Sequence, residues 1–448
     1  MMTTRFLPLL LFFALAGCAA IEDRPVPLPD WRTGHGDFAV PPPAAPIDWS
    51  DGLSLAELLR AVERHGRSIA ALEEWEAARA RKVAAGTYQS YPEVAFEGAQ
   101  SVDGESTQAG IGVHQRIDLG GRLSKREAVA EAGIARAGAE ARDALRELRS
   151  RARLAWWNAS IALRKLDVSR RFAELAAKDV EVAVARYDAR QASATDVNSA
   201  KVRAAKARAA VKSAEGEVEA TRADVEALAG ESPPAGWLLA VTFPADRPEP
   251  DLAKALAAAR TGRPDLDVLS QAAVEAGARA TLADAEGAPE LGLGLGYEWE
   301  RGRVEGDGVD IRMNDHMVTF GLSLTLPLWN SKRGEILEAQ ADRRRFDALR
   351  AALESEVGRE VTASAARLKA ASQTLDLFEK EVLPLASKNL EDVRAAYADG
   401  NLGIADLLRA QQDYLDSLGE SIEAEAAYAS ARVDLESAVD RPLSEFAK

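Results

Sequence analysis

Side chains suited to chemistry are sparse in this chain of 448 residues, which has one cysteine and four histidines. The single cysteine, Cys18, excludes a disulfide framework and a cysteine-based metal site. His35, His65 and His114 are too scattered to predict a site. The glycines of "GLGLGY" alternate with leucine as in a strand, which argues against a nucleotide-binding loop. The sequence therefore predicts a protein that is not an enzyme and holds no cofactor.

A soft-cation site can be considered in "RMNDHMV", where Met313, His316 and Met317 lie close in sequence. Thioether and imidazole groups are ligands for soft cations. We expect this segment in an outer loop at the start of a strand. Because the chain has only four methionines and four histidines, an incidental loop is the favoured interpretation, and no metal site is predicted.

Two tyrosine–aspartate pairs recur with the same spacing, Tyr187 to Asp196 and Tyr397 to Asp406. Aspartate ahead of an apolar run is an ordinary helix N-cap, and Asp196 and Asp406 both fit that role. Any further role for these pairs depends on the elements that position them.

Those elements follow one plan twice. Residues 54–229 and 251–440 each predict a helix, a strand, a loop, a strand, a very long helix, a turn and a helix. The segment "YPEVAFEGAQ" corresponds to "APELGLGLGY", and "IGVHQRIDLGGRLSKRE" corresponds to "FGLSLTLPLWNSKRGE". Repeats of this length indicate two large copies. Residues 230–250 are the predicted linker between them, and residues 441–448 are a C-terminal tail.

Four strands are predicted, and the second pair alternates most cleanly between apolar and small or polar residues. This alternation is typical of a transmembrane barrel, although a half-buried soluble hairpin shows it too. Four strands cannot close a membrane barrel, so the chain must oligomerise. Three copies would supply twelve strands, and two copies are not excluded by this count. The predicted strands are Val94–Gln100, Ala109–Ile117, Leu291–Trp299 and Val318–Leu326.

The predicted helices fall into two length classes. Residues 122–186 and 331–396 each predict one helix of roughly 100 Å. The other four helices are about half as long, which suggests a long helix packed beside two shorter ones in each repeat. Ser54 and Glu57 predict a capping box at the start of the first helix. The shorter helices are predicted at 54–87, 195–229, 251–286 and 404–440.

The N-terminus predicts export and lipid attachment. Arg5 precedes the short apolar stretch Phe6–Ala16, and "LAGC" ends at Cys18, which resembles a bacterial lipobox. Residues 1–17 are then a lipoprotein signal peptide, Cys18 is the lipidated first residue, and residues 18–53 form a proline-rich tether. The formal charge of −15 argues against nucleic acid as a partner.

Over residues 54–440 the chain resembles a TolC-like outer-membrane factor. The segments Gly262–Gly302 and Phe320–Ile336 resemble the Czc-type subgroup for heavy-metal cations. The resemblance implies a mostly α-helical homotrimer whose twelve-stranded β-barrel lies in the outer membrane and whose coiled-coil tube crosses the periplasm. It also implies a passive duct that serves a periplasmic adaptor and an inner-membrane transporter of the RND type.

The resemblance also assigns roles near the two turns. Thr195, Asp196 and Tyr397 match positions that hold the closed aperture of the tube, and we call these three residues the aperture latch. Asp406 matches an acidic ring lining that aperture. Two residues depart from the family pattern, since Leu402 replaces a common basic residue and Arg409 a common acidic one.

Other functions remain open at this point. A duct for drugs or for type I protein secretion would use the same architecture. A coiled-coil lipoprotein that tethers envelope layers without a pore is a further alternative, although it would have no use for alternating membrane strands.

Overall fold

The computed structural model describes residues 47, 49, 52–87, 91–102, 106–230, 233–234, 236–240, 247–306, 309–329 and 331–447, and for residues 303–311 only the backbone. Cys18 and the signal peptide lie outside these residues, as does nearly all of the tether. Lipidation and the domain boundaries therefore stay predictions.

The described chain is mostly helical, as predicted. Among these residues, none of the helices combines the length and apolar character needed to cross a membrane. The helices are α1 (Leu55–Ala61), α2 (Gly66–Ala85), α3 (Arg122–Asp188), α4 (Ala194–Ala229), α5 (Leu252–Gly262), α6 (Pro264–Glu286), α7 (Arg333–Leu377), α8 (Leu383–Ala398) and α9 (Ile404–Val439).

The four predicted strands are confirmed and form one antiparallel sheet in chain order. They are β1 (Glu93–Gln100), β2 (Ser106–Asp118), β3 (Glu290–Gly306) and β4 (Val309–Thr325). The third and fourth strands have 17 residues each and extend well beyond their predicted ends. They pair without a break from Glu290↔Thr325 to Gly306↔Val309, so side chains alternate regularly between the two faces.

The two faces of the sheet differ in chemistry. One face carries exposed apolar side chains, including Phe96, Phe320 and Leu322, of which Phe320 is 83% exposed. The opposite face is rich in glycine, and the His114 imidazole lies against Gly294, where a Cβ would come within 2.6 Å of the His114 Cε1. Within the part of the chain that the structure describes, the sheet thus has an apolar face without a partner and a glycine-rich opposite face.

The predicted helix 54–87 is interrupted. Its capping box is confirmed, because the Glu57 backbone N–H donates to Ser54 Oγ at 3.3 Å and the Ser54 N–H donates to Glu57 Oε2 at 2.9 Å. Helix α1 is followed by a 3₁₀ turn, and His65 is extended. The His65 Nδ1 accepts a hydrogen bond from the Arg67 N–H at 3.2 Å. This histidine therefore starts a new helix, and its role is local capping.

The predicted helix 251–286 is also wrong as a single element, since it breaks at Arg263. This residue is extended, with φ −72° and ψ 121°, and Pro264 begins α6. Proline restricts the residue before it to extended conformations and is favoured at the first helical position. The "GRPD" segment thus ends one helix and begins the next.

The two long helices are not equivalent. Helix α3 runs for 67 residues without interruption. Its predicted counterpart contains a π-helical turn, Phe378–Val382, between α7 and α8. Pro384 lies just after this turn and has no N–H to donate to the carbonyl four residues earlier. The π turn accommodates this loss while the chain stays helical.

Two large buried clusters stabilise the packing of the helices. The first joins α1, α3 and α4 with Leu53 and Trp237. Leu53 forms a parallel bridge with Leu239, and Trp49 contacts Trp237 edge-on with ring centroids 5.3 Å apart. The described residues 236–240 of the predicted linker therefore pack against the helices. The second cluster joins α5, α7 and α9 around Val357, Val361 and Leu435.

Candidate functional site at the turns of two helical hairpins

Two helical hairpins bring the predicted site residues to one place. Helices α3 and α4 form the first hairpin, with its turn at residues 189–193, and α8 and α9 form the second, with its turn at residues 399–403. Ile404 of the second hairpin packs on a buried cluster of the first, formed by Ala183, Val197 and Ala200. The two turns are therefore neighbours within one chain.

The predicted N-cap roles of Asp196 and Asp406 are wrong. Ser193 is the N-cap of α4, and its Oγ accepts from the Asp196 N–H at 3.2 Å. The Asp196 carboxylate accepts in return from the Ser193 N–H at 2.9 Å, which completes a capping box. Gly403 is the N-cap of α9 and offers no side chain, so Asp406 lies exposed in the first turn. The prediction failed because the N-cap residue of each helix lies three residues before the aspartate.

The two turns close differently. In the second turn Gly400 adopts φ 80°, as expected for a glycine just past a helix end. In the first turn Arg190 takes the left-handed conformation with φ 54°. A non-glycine residue adopts that conformation at a cost, so the first turn carries more backbone strain than the second.

Tyr397 is buried between the hairpins, with 3% of its surface exposed. The Arg186 guanidinium lies 4.3 Å from its ring centroid, and Arg186 Nη1 donates to the Tyr397 carbonyl at 2.8 Å. Among the described residues the Tyr397 hydroxyl has no hydrogen-bond partner. Burial raises the pKa of Tyr397, and the negative charge of Asp196 adds to the rise. Within one chain, then, Tyr397 and Asp196 are near each other without a hydrogen bond, and Thr195 is exposed.

A buried polar network lies further from the turns and was missed in the sequence. Asp179 on α3 is 4% exposed and accepts a hydrogen bond from Gln411 Nε2 on α9. Arg394 Nη2 on α8 lies 3.4 Å from the other Asp179 oxygen. The network therefore joins the first hairpin to both helices of the second. The sequence did contain a signal for the burial of Asp179, since this residue lies on the helical face that also carries Ala176 and Ala183.

Arg203 of α4 extends this network from the other side. Its Nη1 donates to the Leu408 carbonyl at 3.0 Å, whereas its Nε and Nη2 are buried without a partner among the described residues. Burial lowers the pKa of Arg203, and the charges of Asp179 and Asp416 oppose that effect. Beside Arg203 a groove of about 590 Å³ runs between the hairpins, lined by Phe172, Thr195, Val202, Lys206, Leu408 and Gln412, among others.

The arrangement of the methionines and His316 does not fit a metal site. The three residues lie in β4 and not in a loop, which corrects the prediction of an outer loop. Met313 and Met317 alternate with His316, so the histidine lies on the opposite face. The His316 Nδ1 is 2.6 Å from the Tyr297 hydroxyl. Within the described ranges there is also no group of three histidine, cysteine, aspartate or glutamate side chains that could hold a metal.

Sequence comparison matches residues 255–440 to the family described as outer membrane efflux protein. The chain has no match among curated proteins by sequence. The matched segment spans α5 to α9 together with β3 and β4, so it includes the second hairpin and Tyr397.

Solved outer-membrane channels share the fold of nearly the whole chain. The CmeC outer membrane channel of Campylobacter jejuni aligns with a TM-score of 0.71 and 14% identity over 88% of each chain. The open-state MtrE outer membrane channel of Neisseria gonorrhoeae aligns with a TM-score of 0.66 and 19% identity, over 92% of this chain and 96% of its own. CusC, solved in a study of transmembrane channel formation, aligns with a TM-score of 0.68 and 15% identity, over 90% of this chain and 98% of its own. The predicted resemblance to outer-membrane efflux channels is confirmed, and the Czc-type subgroup stays a prediction.

Proposed function

Since residues 255–440 match the model of the outer membrane efflux protein family and the fold is that of solved outer-membrane channels, we propose that this protein is the outer-membrane channel of a tripartite efflux pump. It acts as a passive exit duct. An inner-membrane transporter of the RND type and a periplasmic adaptor deliver the substrate, and the chain performs no chemistry.

The unpartnered sheet is the observation that carries this proposal. Its apolar face exposes Phe96, Phe320 and Leu322. Among the described residues, the outer edges of β1 and β4 have no strand paired with them. Unpaired strand edges are costly in lipid, so a membrane location requires closure with other copies. A homotrimer would supply twelve strands and close the sheet into a barrel.

The helices support the periplasmic part of the proposal. Both long helices begin just after a strand, α3 after β2 and α7 after β4. A helix of 67 residues spans about 100 Å, and such a helix needs lateral partners along its length. Three copies side by side would form a tube that ends at the two turns. The adaptor would meet the tube at that end.

The first test is the state of the purified full chain in neutral detergent. We expect a trimer by mass measurement and ion-conducting pores after reconstitution into planar bilayers. A monomeric protein that never conducts would contradict the duct and would favour the envelope tether. A conducting protein of another stoichiometry would keep the duct and reject the twelve-stranded barrel.

We further propose that the aperture latch and the Asp406 ring close the tube end. Thr195 is exposed and can meet a neighbouring chain. The Tyr397 hydroxyl is buried between the hairpins without a partner among the described residues, so its part in the latch requires the hairpins to shift on assembly. Asp406 is exposed in the first turn of α9, so three copies would place like charges around the opening. A carboxylate ring of this kind attracts cations.

Removing the latch groups is expected to loosen the aperture. Asp196→Ala and Tyr397→Phe should each raise single-channel conductance in planar bilayers, because each deletes a hydrogen-bonding group at the closed end. Tyr187→Phe is the matched control, since Tyr187 is the counterpart tyrosine and is 48% exposed. Conductance unchanged from the wild type in both latch variants would reject the latch.

Divalent heavy-metal cations are the proposed substrates, on the strength of Gly262–Gly302 and Phe320–Ile336. Deleting the gene should lower resistance to divalent metals more than resistance to dyes or antibiotics, measured as growth inhibition beside a complemented strain. Equal or reversed sensitivity would reject the metal subgroup and favour a duct for drugs. The formal charge of −15 suits a conduit for cations.

A further inference from the structure

The apolar face of the β3–β4 pair ends in a defined sequence of residue types. Moving away from the helices, the paired residues on this face are Leu295↔Phe320, Tyr297↔Val318, Trp299↔His316 and Arg301↔Asn314, with Arg312 one step further along β4. Leucine and phenylalanine give way to aromatic rings with polar groups and then to arginine. This is the order of side chains found where a membrane protein passes from hydrocarbon to headgroups.

Charge at this level of the sheet is divided between the two faces. The register places Arg301 and Arg312 on the apolar face, and it places Glu298, Glu300 and Asp315 on the opposite face. Both arginines are exposed. Five charged residues at this end of the β3–β4 pair are thus sorted by sign, with the two arginines on the face that carries the exposed apolar residues.

The two residues that precede the arginines are held in place. The Tyr297 hydroxyl lies 2.6 Å from His316 Nδ1, and their rings stack with centroids 6.0 Å apart. The Trp299 indole N–H donates to Asn314 Oδ1, and the Arg301 guanidinium lies 5.8 Å from the Trp299 ring. We call Trp299, Arg301, Arg312 and His316 the basic rim.

From this placement we propose that the basic rim binds the phosphate groups of a phosphorylated glycolipid in the outer leaflet of the membrane. The inference rests on the proposed function, because it needs the apolar face to be in lipid. The helices leave the sheet at Asp118 and Thr325, so the rim, at the opposite end of β3 and β4, would lie at the outer leaflet. Arginine suits this ligand, since its planar fork matches two phosphate oxygens at once.

Charge complementarity favours a phosphorylated lipid over a protein as the ligand of the basic rim. The rim is continuous with the apolar face, and its cations point the same way as Leu295 and Phe320. A lipid offers both an acyl surface and a phosphate in that order. Each basic residue at a membrane surface contributes about 1 kcal/mol toward anionic lipid, so two arginines correspond to a preference of roughly thirtyfold.

Binding of bisphosphorylated lipid A to the full chain in neutral detergent tests the rim. Lipid A of the same acyl composition without phosphates is the comparison probe, and bound lipid is counted by native mass spectrometry. We expect the wild type to prefer the phosphorylated form, and the double variant Arg301→Gln/Arg312→Gln to lose that preference by about tenfold or more. The matched control is Arg343→Gln/Arg344→Gln, which removes two exposed cations from α7.

The outcomes separate this inference from the proposed function. Loss of preference in the rim variant alone, with oligomeric state and conductance unchanged, supports the rim. A conducting wild type that binds both lipids equally overturns the rim and leaves the duct intact, as does a rim variant that keeps the preference. A preference lost equally in the α7 control shows general charge attraction and also overturns the rim. A wild type that neither conducts nor enters bilayers overturns the duct and the rim together.

Discussion

Replacing Arg263 by methionine is expected to lower the free energy of unfolding by about 3–5 kcal/mol. The Arg263 side chain is 5% exposed and forms ion pairs with Asp265 at 2.5 Å and with Glu360 at 2.6 Å. Its Nη1 also donates to the Ala438 carbonyl at 3.2 Å. One guanidinium therefore joins α6, α7 and α9, and methionine would leave the mostly buried Asp265 carboxylate without its main partner.

Chemical denaturation of the purified protein would measure this loss. Arg260→Met is the matched control, because Arg260 is exposed in the last turn of α5 and surface charges contribute little. Arg263→Lys keeps the charge without the planar guanidinium, so its stability should lie between those of Arg263→Met and Arg260→Met. A stability for Arg263→Met within error of Arg260→Met would contradict the bridging role.

The loss should depend on pH in a defined direction. Burial favours the neutral form of Asp265, but the hydrogen bond and charge of Arg263 outweigh burial and hold the pKa of Asp265 below its usual value. A lowered carboxylate pKa contributes stability above the unfolded-state pKa, and that contribution is lost as the pH falls through the folded-state pKa. The gap between wild type and Arg263→Met should therefore be full at neutral pH and shrink in acid.

The same residue shows how far sequence reasoning reaches. Periodicity was sufficient to predict the four strands and the long helix α3, because the sequence shows regular apolar–polar alternation in the strands and no helix-breaking residues in α3. The breaks at His65 and Arg263 were missed, since an interrupted helix keeps nearly the same apolar spacing on each side. Pro264 carried a signal for the second break, because it disfavours a helical residue before it.

The candidate site was partly predictable for a related reason. The "YADG" turn predicts a glycine past the helix end, and Gly400 occupies that position. The pattern Ser-x-x-Asp at Ser193 and Asp196 is a capping box written in the sequence, although the aspartate was interpreted as the cap. The helical face shared with Ala176 and Ala183 indicates that Asp179 is buried, but its partners depend on which helices meet. Contacts more than 200 residues apart in the chain, such as Asp179 with Gln411, have no local signature.

Asp179→Ala is expected to destabilise the protein by about 1–3 kcal/mol and to raise the conductance of the reconstituted channel. Asp179 is the acceptor for the buried Gln411 amide and the counter-charge for Arg394, whose side chain is 43% exposed. Its removal leaves the Gln411 amide buried without that partner, and a buried polar group without a partner costs about 1–3 kcal/mol. The two hairpins would separate to admit water, and under the proposed function that separation widens the tube end.

A comparison with the same helix separates this network from ordinary surface charge. Asp167→Ala removes an exposed aspartate of α3 that pairs with Arg171 at 2.9 Å, and such a pair contributes less than about 1 kcal/mol. The stability of Asp179→Asn should lie between those of Asp179→Ala and Asp167→Ala. Its amide can still accept a hydrogen bond from Gln411 but no longer balances the charge of Arg394. Thermal unfolding reports the stability effect even where no channel is recorded. Equal unfolding temperatures for Asp179→Ala and Asp167→Ala would show that the buried carboxylate does not hold the hairpins together. A destabilised Asp179→Ala with wild-type conductance would keep the network as a structural tie and remove it from the gate.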